Sequence, residues 1–109
     1  MIKFKAGISQ AGISALLIPP LTNLAKNLKF DIIITSAFRT PEENEAIGGN
    51  PNSSHLRGLA CDIRTTSDAD RYELILKAVE SGFTRIGIAK DHLHIDIDPE
   101  KNQKRIWVE

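Results

Sequence analysis

All three histidines of this chain fall in two short stretches, Ser53-Ser54-His55-Leu56-Arg57-Gly58-Leu59-Ala60-Cys61-Asp62 and Asp91-His92-Leu93-His94-Ile95-Asp96. Chance rarely sorts imidazoles this way, and each stretch also carries acids, so the fold is expected to bring the two together. In the first, His55 and Asp62 cannot sit on adjacent turns of one helix. A loop that turns at Gly58, where glycine frees φ, and enters a strand at Leu59 swings Asp62 back toward His55. The second stretch alternates as a strand, with His92, His94, Asp96 and Asp98 on one face and Leu93, Ile95 and Ile97 on the core side. One His and one Asp from the first stretch plus a His from the second make a three-ligand set with an open fourth position, the arrangement of hydrolytic zinc.

The remaining chain supplies elements to hold these stretches. Residues 1–18, punctuated by Gly7 and Gly12, read as an extended or irregular lead-in. Pro19-Pro20 suits the first turn of a helix, and Leu21, Leu24, Ala25 and Leu28 follow at helical spacing. Asp31 to Ser36 is β-branched and apolar, as expected of a central strand covered on both faces. Thr40-Pro41-Glu42-Glu43 starts a short helix, with Thr40 as its cap, that ends before Gly48-Gly49. A polar loop over 48–54 leads into His55. Leu59 to Thr65 alternates, with Ala60, Asp62 and Arg64 on one face and Leu59, Cys61 and Ile63 on the other. Ser67 or Asp68 caps a helix reaching about Ser81, with Tyr72, Ile75, Leu76 and Val79 as its apolar stripe. Arg85 to Ala89 forms a hairpin with His92 to Asp98 across a turn at Lys90-Asp91, and Ile106-Trp107-Val108 adds an edge strand.

At 109 residues the chain is expected to form one domain, 1–109, able to bury a core without disulfides. Its 14 basic and 14 acidic side chains balance, with no run of one sign, which argues against nucleic acid or an anionic membrane as partner. The lone Cys61 excludes an internal disulfide and reads as a small buried hydrophobe rather than a ligand. Met1 to Gly7 lacks the apolar core of a secretion signal, and Ala15 to Pro20 is too short to span a bilayer, so a target outside the cell would be reached by lysis, a pore or a signal outside this sequence. Binuclear hydrolases that use His-x-His-x-Asp need further histidines, and position 97 is Ile.

Ser53, His55, Gly58, Ala60 and Asp62 reproduce the S-x-H-x-x-G-x-A-x-D pattern, and Ser36-Ala37-Phe38-Arg39-Thr40 resembles an S-G-Y-R-S segment with Ala and Phe in place of Gly and Tyr. Both patterns resemble the peptidase M15 family, zinc D-Ala-D-Ala carboxypeptidases and L-Ala-D-Glu endopeptidases, over roughly residues 30 to 98. The resemblance implies an α+β fold of the hedgehog/DD-peptidase kind, a small mainly antiparallel sheet with helices packed on one side. It implies one Zn2+ held by His55, Asp62 and His94, with Asp96 orienting an imidazole. Asp91 is the implied general base, matching D-x-x-H, with His92 as the alternative. Arg39 would contact the scissile carbonyl or a substrate carboxylate, Ser53 the substrate or its own loop, and Ser36 would support that loop. The implied activity is hydrolysis of an amide bond in a peptidoglycan stem peptide, of the D-Ala-D-Ala carboxypeptidase type with L-Ala-D-Glu endopeptidase as the alternative, and the chain is expected to be a monomer. A different class, a non-catalytic module that keeps zinc to bind wall peptides, shares these residues.

Overall fold

The computed structural model describes residues 1–109 as an α+β fold with a six-stranded mixed sheet and three helices. In chain order these are β1 (Ile2–Phe4), α1 (Ile18–Asn27), β2 (Ile32–Ser36), α2 (Pro41–Ala46), β3 (Ala60–Arg64), α3 (Asp68–Glu80), β4 (Arg85–Ile88), β5 (His92–Asp96) and β6 (Arg105–Val108), with a 3-10 turn over Ser54–Arg57 before β3. The sheet order is β1-β2-β3-β5-β4-β6. The expectation of a mainly antiparallel sheet needs correction. The four inner strands pair antiparallel, but β1 joins β2 and β6 joins β4 in parallel, one at each edge. Both parallel edges come from the ends of the chain. Ile2 to Phe4, within the lead-in read from sequence as extended or irregular, forms a strand whose three alternating residues are too few to register as a periodic signal.

Strand parity divides the sheet. Ile32 and Ile34 of β2, Cys61 and Ile63 of β3, Ile86 of β4, and Leu93 and Ile95 of β5 enter one buried cluster with Leu17, Leu21 and Leu24 at α1 and Leu74 and Ala78 of α3. Each leucine and isoleucine among them contributes on the order of 2 kcal/mol by leaving water. The stripe expected on α3 is one residue out of phase, since Tyr72, Leu76 and Val79 are exposed while Leu74 and Ala78 are buried and Ile75 packs against the core. The helix carries apolar residues on more than one face, so spacing alone did not choose between them. The other face of β3 and β5 carries Asp62 and His94, which lie directly opposite one another in the register.

Candidate metal centre

The first donor is placed by the turn that precedes β3. Ser53 caps it by accepting from the His55 amide at 3.2 Å, and Gly58 closes it at φ +70°. A Cβ on Gly58 would meet the Gly12 carbonyl oxygen at 2.3 Å, so this position needs glycine for both φ and space. The turn is strapped to the segment after β2, where the Arg39 amide donates to the His55 carbonyl. In the same contact, His55 Nδ1–H donates to the Ala37 carbonyl at 2.6 Å. That bond fixes the tautomer, because a carbonyl only accepts, and leaves the Nε2 lone pair facing Asp62 Oδ1 at 3.2 Å.

His94 is held in the complementary way. Its Nε2 lies 2.6 Å from Oδ2 of the fully buried Asp96, so Nε2–H donates outward and Nδ1 faces Asp62 Oδ1, again at 3.2 Å. Arg85 Nε stands 3.0 Å from the other Asp96 oxygen, which balances the buried charge. One atom from each of His55, Asp62 and His94 lies within 4.8 Å of the others. Donors at zinc distances in a tetrahedron are separated by roughly 3.3 Å, close to the two 3.2 Å nitrogen–oxygen spacings here. The donor set therefore fits one small divalent cation, with each imidazole's outer nitrogen already committed.

The electrostatics agree. Burial disfavours the Asp62 carboxylate, yet the His55 and His94 imidazoles against it outweigh that and hold its pKa far below the usual carboxylate range. Burial likewise disfavours charged His94, but Asp62 and Asp96 together push it up to about 9. A metal ion must displace this proton. Below about 9 uptake should therefore release close to one proton per ion, and apparent affinity should fall about tenfold for each pH unit of acidification. Competition titrations at about pH 6 and about pH 8 check this; equal affinities would contradict it. Cys61 is not a donor here: it is buried in the core, where desolvation and the charges of Asp62 and Asp96 raise its pKa.

Of the other expected residues, His92 comes closest, with Nε2 at 3.9 Å from Asp62 Oδ2. Its Nδ1 is 2.9 Å from Asp91 Oδ1. The Asp91 side chain is 87% exposed and reaches the centre only through His92. Arg39 donates to Asn44 Oδ1 at 3.1 Å, and its Nε is buried without a partner. Ser36 stands opposite Asp62 across an irregularity in the β2–β3 register. Asp98 does not join the ligand face as strand parity predicts. β5 ends at Asp96, and the Asp98 carboxylate is buried against Ser54 and Arg57. Sequence reasoning also missed Arg85, Gly87 and Trp107, whose indole centroid lies 5.6 Å from that of His94. Their only trace in the sequence was an edge strand holding the single tryptophan.

Two clefts flank the centre and share Arg39 and Asp62. One, of about 640 Å³, runs past His92, Asp91 and Arg64; the other, of about 460 Å³, runs past His55, His94 and Trp107. A search of curated proteins finds no match. The Peptidase M15 family model matches residues 1–98, a span holding all three donors, His92, Asp91 and Arg39, and the chain therefore belongs to the peptidase M15 family.

Proposed function

We propose that this M15 metallopeptidase is a zinc enzyme that hydrolyses an amide bond in peptidoglycan stem peptides. One observation carries the zinc assignment: three side chains distant along the chain converge while outer hydrogen bonds fix both imidazoles with one ring nitrogen of each turned inward. Zn2+ held there supplies Lewis acidity to an amide carbonyl and lowers the pKa of water toward neutrality. The chain's own groups do the rest. With Nδ1–H donating to Asp91, His92 Nε2 carries a lone pair on the Asp62 side and is placed to take a proton and return it to the leaving amine. Asp91 orients that imidazole, and the pair acts as one unit. The Arg39 guanidinium lines both clefts and spends one N–H on Asn44, which suits the carbonyl oxygen or a substrate carboxylate. Asp96 fixes His94, Ser53 caps the turn under His55, and Ser36 supports the strand end beside Asp62.

Openings on both sides of Asp62 leave room for substrate residues before and after the scissile bond. That favours cleavage inside the stem peptide, between L-Ala and D-Glu, over removal of a terminal D-Ala. Mass spectrometry of muropeptides digested with and without chelator tests both readings. Chelator-sensitive internal cleavage is expected, and intact stem peptides under all conditions would contradict the activity. His92→Ala should keep its zinc and lose about a hundredfold in kcat, at the lower end of a general base's contribution. Full activity in that variant would remove His92 from the mechanism.

A further inference from the structure

We infer that Trp107 is a positioning residue for His94, supplied by a strand beyond the matched family segment, and that it strengthens divalent-cation binding at the three-donor site. The inference rests on the metal reading above but concerns residues that reading does not use.

The register places Asp62, His94, Gly87 and Trp107 in one row across β3, β5, β4 and β6. Between His94 and Trp107 the row holds only a glycine. Its φ is ordinary, so backbone freedom does not explain it; space does. A Cβ on Gly87 would stand 2.8 Å from the indole, so this glycine lets the ring lie across β4 and reach the imidazole. The two rings are tilted by 52°. Trp107 is half-buried on a strand whose other residues are exposed.

The indole also reaches the far side of His94. The Arg85 guanidinium carbon sits 4.9 Å from the indole centroid, and Arg85 Nε stands 3.0 Å from Asp96, the acceptor of the His94 Nε2–H bond. Contacts at its two ring nitrogens, with Asp96 and Asp62, restrain the imidazole within its own plane but not against tilting out of it. The indole against the ring removes that freedom, and by holding Arg85 it also steadies Asp96. Outer partners of a ligating histidine typically alter metal affinity by 10- to 100-fold.

The test uses the full chain freed of metal and titrated with Co2+, read by visible absorption and by tryptophan emission. Trp107 is the only tryptophan, so the emission reports this position alone. Co2+ should quench the wild-type emission. Trp107→Ala should weaken Co2+ binding about tenfold or more, while Trp107→Phe, which keeps an aromatic face, should stay near wild type. Gly87→Ala keeps the indole but displaces it, so both affinity and quenching should fall; this variant carries the test if Trp107→Ala fails to fold. Wild-type affinity in Trp107→Ala or Gly87→Ala, or equal losses in the Phe and Ala variants, would overturn the inference. Failure of the wild-type chain to bind Co2+ would instead overturn the metal reading beneath it.

Discussion

Replacing Asp62 with alanine is expected to abolish metal retention and to lower stem-peptide hydrolysis by at least about a thousandfold. Asp62 Oδ1 lies 3.2 Å from both inward-facing nitrogens, so its loss removes one donor and the only negative charge between the two imidazoles. A metal's electrostatic contribution to an acyl-transfer transition state is several kcal/mol, and each ~1.4 kcal/mol is tenfold in rate. Asp62→Asn keeps the shape but not the charge, and should also lose tight binding. Without metal, His94 in either variant loses the first of the two acceptors that raise its pKa, so that pKa should fall. Single-turnover hydrolysis and metal content of the purified variants measure both effects. Chelator-sensitive activity within tenfold of wild type would contradict the assignment of Asp62.

Replacing Asp98 with alanine should cost stability rather than chemistry, by about 3–4 kcal/mol. Its side chain is fully buried and accepts from Ser54 Oγ at 2.6 Å, from the Glu100 amide at 3.1 Å and from Arg57. Ser54 and Arg57 flank His55, so this carboxylate ties the chain beyond β5 to the turn that presents the first donor. The variant leaves the mostly buried Arg57 guanidinium with only the exposed Asn52 and Glu100 as partners and the Ser54 hydroxyl without its acceptor, and removing one partner of such a pair is far costlier than never having built it. The melting temperature should fall by roughly 15 °C or more. Burial alone would raise the Asp98 pKa, but Arg57 and Ser54 outweigh it and hold the value below the ordinary carboxylate range. A lowered folded pKa means the contribution is complete above about pH 4, where the unfolded side chain is ionised, and is lost as pH falls through the folded value. The gap between variant and wild type should therefore be widest near neutrality and shrink in acid. Melting temperatures within a few degrees at pH 7 would contradict this account.

The convergence of His55, Asp62 and His94 was legible in the sequence because their placement depends on the most local of rules. Alternation along β3 and β5 puts Asp62 and His94 on the face away from Cys61, Ile63, Leu93 and Ile95, and the turn at Gly58 brings His55 to them. The same rule failed at Asp98, where pairing between β3 and β5 has already ended and the side chain answers to Arg57 instead. It also left Asp91 and His92 unresolved, because residues at a turn are oriented by their hydrogen bonds and not by parity. Parallel edges are harder still. β1 and β6 join the sheet through partners 30 and 20 residues away, Ile2 with Ile32 and Arg105 with Arg85, and three or four residues carry too little pattern to announce such pairing. The edge strand over Ile106 to Val108 was expected, but the place of Trp107 beside His94 was not, because only the register shows that the residue between them is Gly87.

The most direct measurement is an anomalous difference map at the zinc edge from crystals of the full chain grown with Zn2+. One peak is predicted, at about 2.0–2.1 Å from His55 Nε2, His94 Nδ1 and an Asp62 oxygen. Zinc bound elsewhere, or a peak that leaves out any one of these three side chains, would contradict the account.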